Sequence, residues 1–252
     1  MTFLSSRASD RALANLEINN ETCTHCHLER TLNWDAQGKR LVSEALLSAR
    51  ESLAKHGWSQ LAAFPVKFIL IQNGSYWNFP FTYNDCIVLT PAALERPKLH
   101  KVLLHELIHI DQRGRPDTYR KFYRTMGFKK HKVDFGKLKT QLLRNPDADN
   151  YEWVWQGETG PAYIPVALLR NCRFWSILIE LGGLNGGTGI HMHDMADVSE
   201  YNNRFGVDKQ LYHPNEISAH LLADYMVDGV VYPEVDNQAL QALQALQALG
   251  SV

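Results

Sequence analysis

Cysteine is scarce in this chain, with four among 252 residues. That scarcity excludes a small fold stapled by disulfides. No apolar run reaches the length a membrane-crossing helix needs. Charge of one sign is lacking too: 26 Lys and Arg meet 27 Asp and Glu, a formal net charge of -1 with neutral histidines. A bulk electrostatic hold on nucleic acid or an anionic membrane is therefore excluded, and neither is expected as a partner. The local basic stretch Lys129-Lys130-His131-Lys132, with Lys137 and Lys139, reads as solvated surface. Arg7, Asp10, Arg11 and Glu17 interrupt the amino end, so a signal-peptide core is missing. The expectation is a cytoplasmic chain or one exported by a specialised route. Gly182-Gly183, Gly186-Gly187 and Gly189 are not followed by Lys-Ser/Thr, which rules out a P-loop and leaves a glycine-rich loop beside a cleft.

What is present is ordinary globular material, 45% hydrophobic and 21% charged. Its length suits one large domain or a main domain with an insertion. Within it stands His105-Glu106-Leu107-Ile108-His109, an HExxH. On a helix, this spacing puts two imidazoles one turn apart on one face, with a carboxylate beside them. That residue set can bind a zinc ion and manage the proton of an activated water. Leu103, Leu104, Leu107, Ile108 and Ile110 predict a helix over about residues 98–112, stopped by Gly114 and Pro116.

Upstream, residues 38–55 predict a helix with Leu41, Ala45, Leu46, Ala49 and Leu53 near one stripe, and residues 1–20 a short helix. Residues 66–71 and 86–89 predict strands, with Asn73-Gly74 as a turn signal. The implied fold class is α+β: a mixed sheet packed on the metal helix, followed by a mainly helical second half. Residues 84–89 are the candidate for a sheet edge open to an extended peptide, with a covered interior strand as the alternative. Residues 117–126 predict a helix, 133–143 continued helical packing, and 174–181 an apolar strand or buried helix. Residues 214–227 predict a second strong helix, with Pro214 in its first turn and Ile217, Leu221, Leu222, Tyr225 and Met226 on its apolar side. The Gln-Ala-Leu repeats of residues 241–249 suit a short terminal helix. The expected organisation is a segment 1–37 and a catalytic domain 38–252, elaborated at about 115–210.

A catalytic zinc shell needs a third protein ligand and one position for water. Glu216, in Asn215-Glu216-Ile217-Ser218-Ala219, is the leading candidate, because Ser218 and Ala219 permit close helix approach. His220, the His191/His193/Asp194 group and Asp111 are the alternatives. Asp111, two residues after His109, points largely off the His105/His109 face.

The two segments together, His105-Glu106-Leu107-Ile108-His109 and Asn215-Glu216-Ile217-Ser218-Ala219, resemble the gluzincin class of metallopeptidases. The resemblance implies a zincin-like fold in which His105, His109 and Glu216 bind zinc and Glu106 is the base. Glu216 lies 107 residues beyond His109, which implies a long insertion between the two helices. Thermolysin-like members carry an aspartate four residues after the ligand glutamate; here that position is His220, and Asp224 is the candidate to orient an imidazole.

The expected reaction is hydrolysis of a peptide bond by a metal-activated water, with Glu106 passing a proton to the leaving amine. Tyr212, His213, His193 and Tyr201 are candidate donors to the oxyanion, Tyr212 and His213 first. A zinc amidase acting on a small-molecule or cell-wall peptide amide would use the same ligands, and a non-catalytic domain stabilised by metal is a further alternative. Near the amino end, Cys23-Thr24-His25-Cys26-His27 offers a possible second, structural ion at Cys23 and Cys26. Haem attachment, a redox dithiol, plain thiols and a thiolate cap on the principal metal are its other readings.

Overall fold

The computed structural model describes residues 1–14, 16, 30–143, 147, 153–158, 160–170, 173–184, 190–206 and 211–230. The chain is α+β and forms two compact units. Unit 1 contains residues 1–115 and 222–230, and unit 2 residues 116–221. Cys23, Cys26 and the terminal Gln-Ala-Leu repeats lie outside the described residues. Among the described residues, no helix is long and apolar enough to cross a membrane.

Unit 1 is built on a mixed sheet. Its strands are β1 (Thr2–Phe3), β2 (Thr31–Leu32), β3 (Lys67–Ile71), β4 (Phe81–Tyr83) and β5 (Cys86–Leu89). The order is β1-β3-β5-β4, with β2 pairing β3. β1 and β5 run parallel to β3, and β4 runs antiparallel to β5. Strands β3 and β5 are buried runs, Phe68 to Ile71 and Cys86 to Leu89, as strands covered on both faces should be. β5 is paired on both sides, so the peptide-accepting edge considered for residues 84–89 is not there; the outer strand is β4. Gly74 turns the chain out of β3 at φ 92, a conformation that penalises any Cβ.

The helices of this unit are α1 (Ser6–Leu13), α2 (Ala36–Lys55), α3 (Ser59–Ala63), α4 (Pro91–Leu94) and α5 (Leu99–Gly114). Asp35 caps α2 by accepting from the Gly38 N–H at 2.6 Å. Val42, Leu46, Ala49 and Leu53 then repeat at helical spacing and are buried, and α2 packs against α5. Leu46 is 2% exposed. Leu46→Ala is expected to cost about 2–5 kcal/mol, read as a lowered urea midpoint at unchanged slope.

Unit 2 holds α6 (Pro116–Thr125), β6 (Phe128–Lys130), β7 (Trp153–Gln156), β8 (Ala162–Arg170), β9 (Arg173–Glu180), α7 (Leu181–Leu184), β10 (Met192–Asp194) and α8 (Ser199–Phe205). The strands form one antiparallel sheet ordered β10-β9-β8-β7-β6. This corrects the expectation of a mainly helical second half. The reason lies in β8, where residues 163–169 are all buried. Ile164, Val166 and Leu168 pack with Phe135, Leu138 and Leu142 on one face. On the other, Trp155 stacks on Tyr163 and meets Tyr201 and Phe205 edge-on. A strand covered on both sides loses the polar alternation that identifies it in sequence. Residues 136–141 form a 3-10 helix, not a continued α-helix.

Candidate metal centre

α5 carries the HExxH. Its apolar positions Leu103, Leu104, Leu107 and Ile108 are wholly buried, so the helix is fixed by packing on most of its surface. Glu106 and His109 are buried with them, and His105 is half-buried. The two imidazoles stand nearly perpendicular, with ring centroids 4.6 Å apart. Their Nε2 atoms face each other at 2.9 Å. Two imidazole nitrogens on one tetrahedral zinc stand about 3.3 Å apart, given bonds of about 2.0–2.1 Å. The pair therefore needs only a few tenths of an ångström of opening to fit such an ion.

Gln112, which sequence reasoning missed, fixes the chemistry of one ring. Its Oε1 lies 2.8 Å from His109 Nδ1 and accepts that N–H, leaving the Nε2 lone pair directed at His105. It sits three residues after His109, so the i, i+3 spacing could have revealed it. Gln112→Leu is expected to weaken metal binding roughly 10–100-fold with the fold retained, measured by competition against a chelator.

The second helix of the candidate site is α9 (Pro214–Asp228), with residues up to 221 assigned to unit 2 and those from 222 to unit 1. Its later turns are fastened to the first turns of α5. Lys101 Nζ lies 2.7 Å from Asp228 Oδ2, Lys98 Nζ lies 2.8 Å from Asp228 Oδ1, and Lys101 also pairs with Asp224. Hydrogen bonds from Lys101 and then Lys98 pull the Asp228 carboxyl down to about 2. Asp224, a candidate to orient an imidazole, thus has a salt bridge to Lys101. Residues 214–219 of α9 are buried without interruption. A helix buried around its whole circumference places Glu216 away from water, and Glu216 is 4% exposed.

One ligand atom each from His105, His109 and Glu216 lie within 4.8 Å of one another. Two neutral imidazoles and a carboxylate match the borderline donor preference of zinc, and three protein donors leave a position for substrate or water. A second grouping, Glu106, His109 and Asp147, meets the same distance condition. Asp147 is buried, and its backbone carbonyl accepts from Asn215 Nδ2 at 2.8 Å. Nothing in the local pattern around residue 147 marked it. Arg96, two residues beyond α4, donates to the Asn78 carbonyl at 3.1 Å. Burial lowers its pKa, and the charge of Glu106 acts against that.

The other sequence candidates divide clearly. His213 and Tyr212 immediately precede α9 and are buried. His213 Nδ1 accepts from the Asn215 N–H at 3.1 Å, which places the ring proton on Nε2. The Tyr212 ring packs edge-on against Phe174. Tyr201 is fully buried and donates its hydroxyl to the Leu211 carbonyl at 2.8 Å, so it anchors the approach to α9. Asp111 is held by Arg115, with Nε to Oδ1 at 2.8 Å. His220 belongs to neither metal grouping. His193 and His191 instead face Glu180.

No protein-family model matches the chain, and no curated protein or solved structure matches it either.

Proposed function

We propose that the protein is a zinc-dependent metallopeptidase of the gluzincin class, with a zincin-like arrangement of its mixed sheet and α5. The observation that carries this reading is the approach of His105, His109 and Glu216 ligand atoms to within 4.8 Å, beside a buried Glu106. His105 and His109 supply Nε2 donors and Glu216 a carboxylate oxygen. Zinc, when bound, polarises the scissile carbonyl and lowers the pKa of water. Glu106 accepts the proton of the attacking water at a carboxylate oxygen. It then delivers that proton to the departing amine nitrogen as the C–N bond breaks. His213, with its proton on Nε2, is a neutral donor suited to the oxyanion, and the Tyr212 hydroxyl is a second. Gln112 keeps the His109 ring in the ligating tautomer.

The test is cleavage of a fluorogenic peptide library by metal-loaded wild-type protein, beside metal-stripped protein and protein with zinc restored. Activity that disappears on stripping and returns with zinc supports the reading. Restored zinc content without cleavage of any peptide in the library counts against it.

A further inference from the structure

The His191/His193 pair has no role in the proposed hydrolysis and lies wholly within unit 2. β10 pairs antiparallel with β9, with Met192 opposite Ile179 and His193 opposite Leu178. The Glu180 N–H donates to the His191 carbonyl at 3.0 Å, which puts His191 across from Glu180. Alternation along the strands then sends His191, His193 and Glu180 from one face, together with Tyr163, which lies opposite Glu180 on β8. The carboxylate sits between the two imidazoles: Glu180 Oε2 is 3.3 Å from His193 Nε2 and 3.9 Å from His191 Nδ1.

The two rings are held differently. His193 stands edge-on to Tyr163, with centroids 5.5 Å apart at 87°, and Tyr163 stacks on Trp155. That aromatic backing sets the plane of the His193 ring. The His191 side chain is 63% exposed and has room to turn.

We propose that Glu180, His191 and His193 form a second divalent-metal site, taking an ion of the zinc class on two imidazoles and one carboxylate. Imidazole selects zinc, copper or nickel over calcium or magnesium, and the carboxylate offsets the ion's charge. Glu180 and His193 are already at the separation of two ligands on one ion, whereas the three residues as they stand do not meet the distance condition of the principal grouping, so the exposed His191 must rotate toward His193 to complete the set. Water fills the remaining position, so the site is open. The ligands join the two ends of residues 181–190, five of which are glycine. An ion here cross-links the ends of that stretch and stabilises the folded chain by linkage. The site does not depend on the proposed hydrolysis.

The experiment uses the full chain with His105→Ala and His109→Ala, which removes the principal site. Zinc is titrated by calorimetry and cobalt by visible absorption. About one equivalent is expected to bind. Adding His193→Ala or Glu180→Gln is expected to weaken it at least about tenfold, with the circular dichroism unchanged. As a second measurement, His191→Ala/His193→Ala in the otherwise wild-type chain should lower the zinc content at saturation by one equivalent. Absence of binding in the His105→Ala/His109→Ala protein, with no such drop in the otherwise wild-type chain, would overturn the site. So would binding that survives His193→Ala and Glu180→Gln, or that Cys23→Ser/Cys26→Ser abolishes instead.

Discussion

Glu106→Gln is expected to retain its zinc and to lose hydrolysis by roughly 10²–10⁴-fold, the contribution of a positioned general base. The side chain is 3% exposed on a helix buried over most of its surface, so glutamine of nearly equal volume is accommodated without repacking. What changes is chemistry: the amide has no basic oxygen to accept the water proton. His105 and His109 keep their nitrogens, and Gln112 still accepts from His109 Nδ1. Metal content measured on the same preparation that is assayed separates the two effects. Full-rate cleavage by the zinc-loaded variant would remove Glu106 from the mechanism. Loss of both zinc and activity would show that its carboxylate holds the site together instead.

The parts of this molecule that were legible in sequence are those whose information is local. The HExxH spacing is a property of one helix, and α5 spans Leu99–Gly114 where periodicity predicts about 98–112. β3 and β5 announce themselves as short apolar runs ended by turn signals. β8 does not, because burial on both faces removes the alternation that separates strand from helix, and β9 reads in sequence as either a strand or a buried helix. Their pairing from Tyr163–Glu180 to Arg170–Arg173 is fixed by partners rather than by either segment alone. The candidate metal centre divides along the same line. Gln112 lies one turn from His109 and was within reach of a helical-wheel argument. Asp147, brought into a grouping with Glu106 and His109, depends on how the chain returns, which no local spacing encodes.

Glu216→Ala is expected to weaken zinc binding by more than the roughly 10–100-fold that loss of an outer partner costs, while His220→Ala leaves affinity nearly unchanged. Both residues lie on α9, one turn apart, so the pair tests which side chain completes the shell. The argument for Glu216 is partly electrostatic. Two neutral imidazoles leave the ion's double charge uncompensated, and a buried carboxylate is itself costly unless it meets a cation or hydrogen-bond donors. In the proposed site Glu216 and the ion would each offset the other's charge, and removing the carboxylate would leave the ion held by nitrogen alone. His220 is half-buried, and its loss leaves the carboxylate in place. The later turns of α9 remain fastened to α5 through Lys98 and Lys101 in both variants, so neither change is expected to release the helix. Zinc affinity is read by competition with a chromophoric chelator, and folding by the unfolding midpoint of metal-stripped protein. Equal loss of affinity in the two variants, or loss confined to His220→Ala, would transfer the third position away from Glu216.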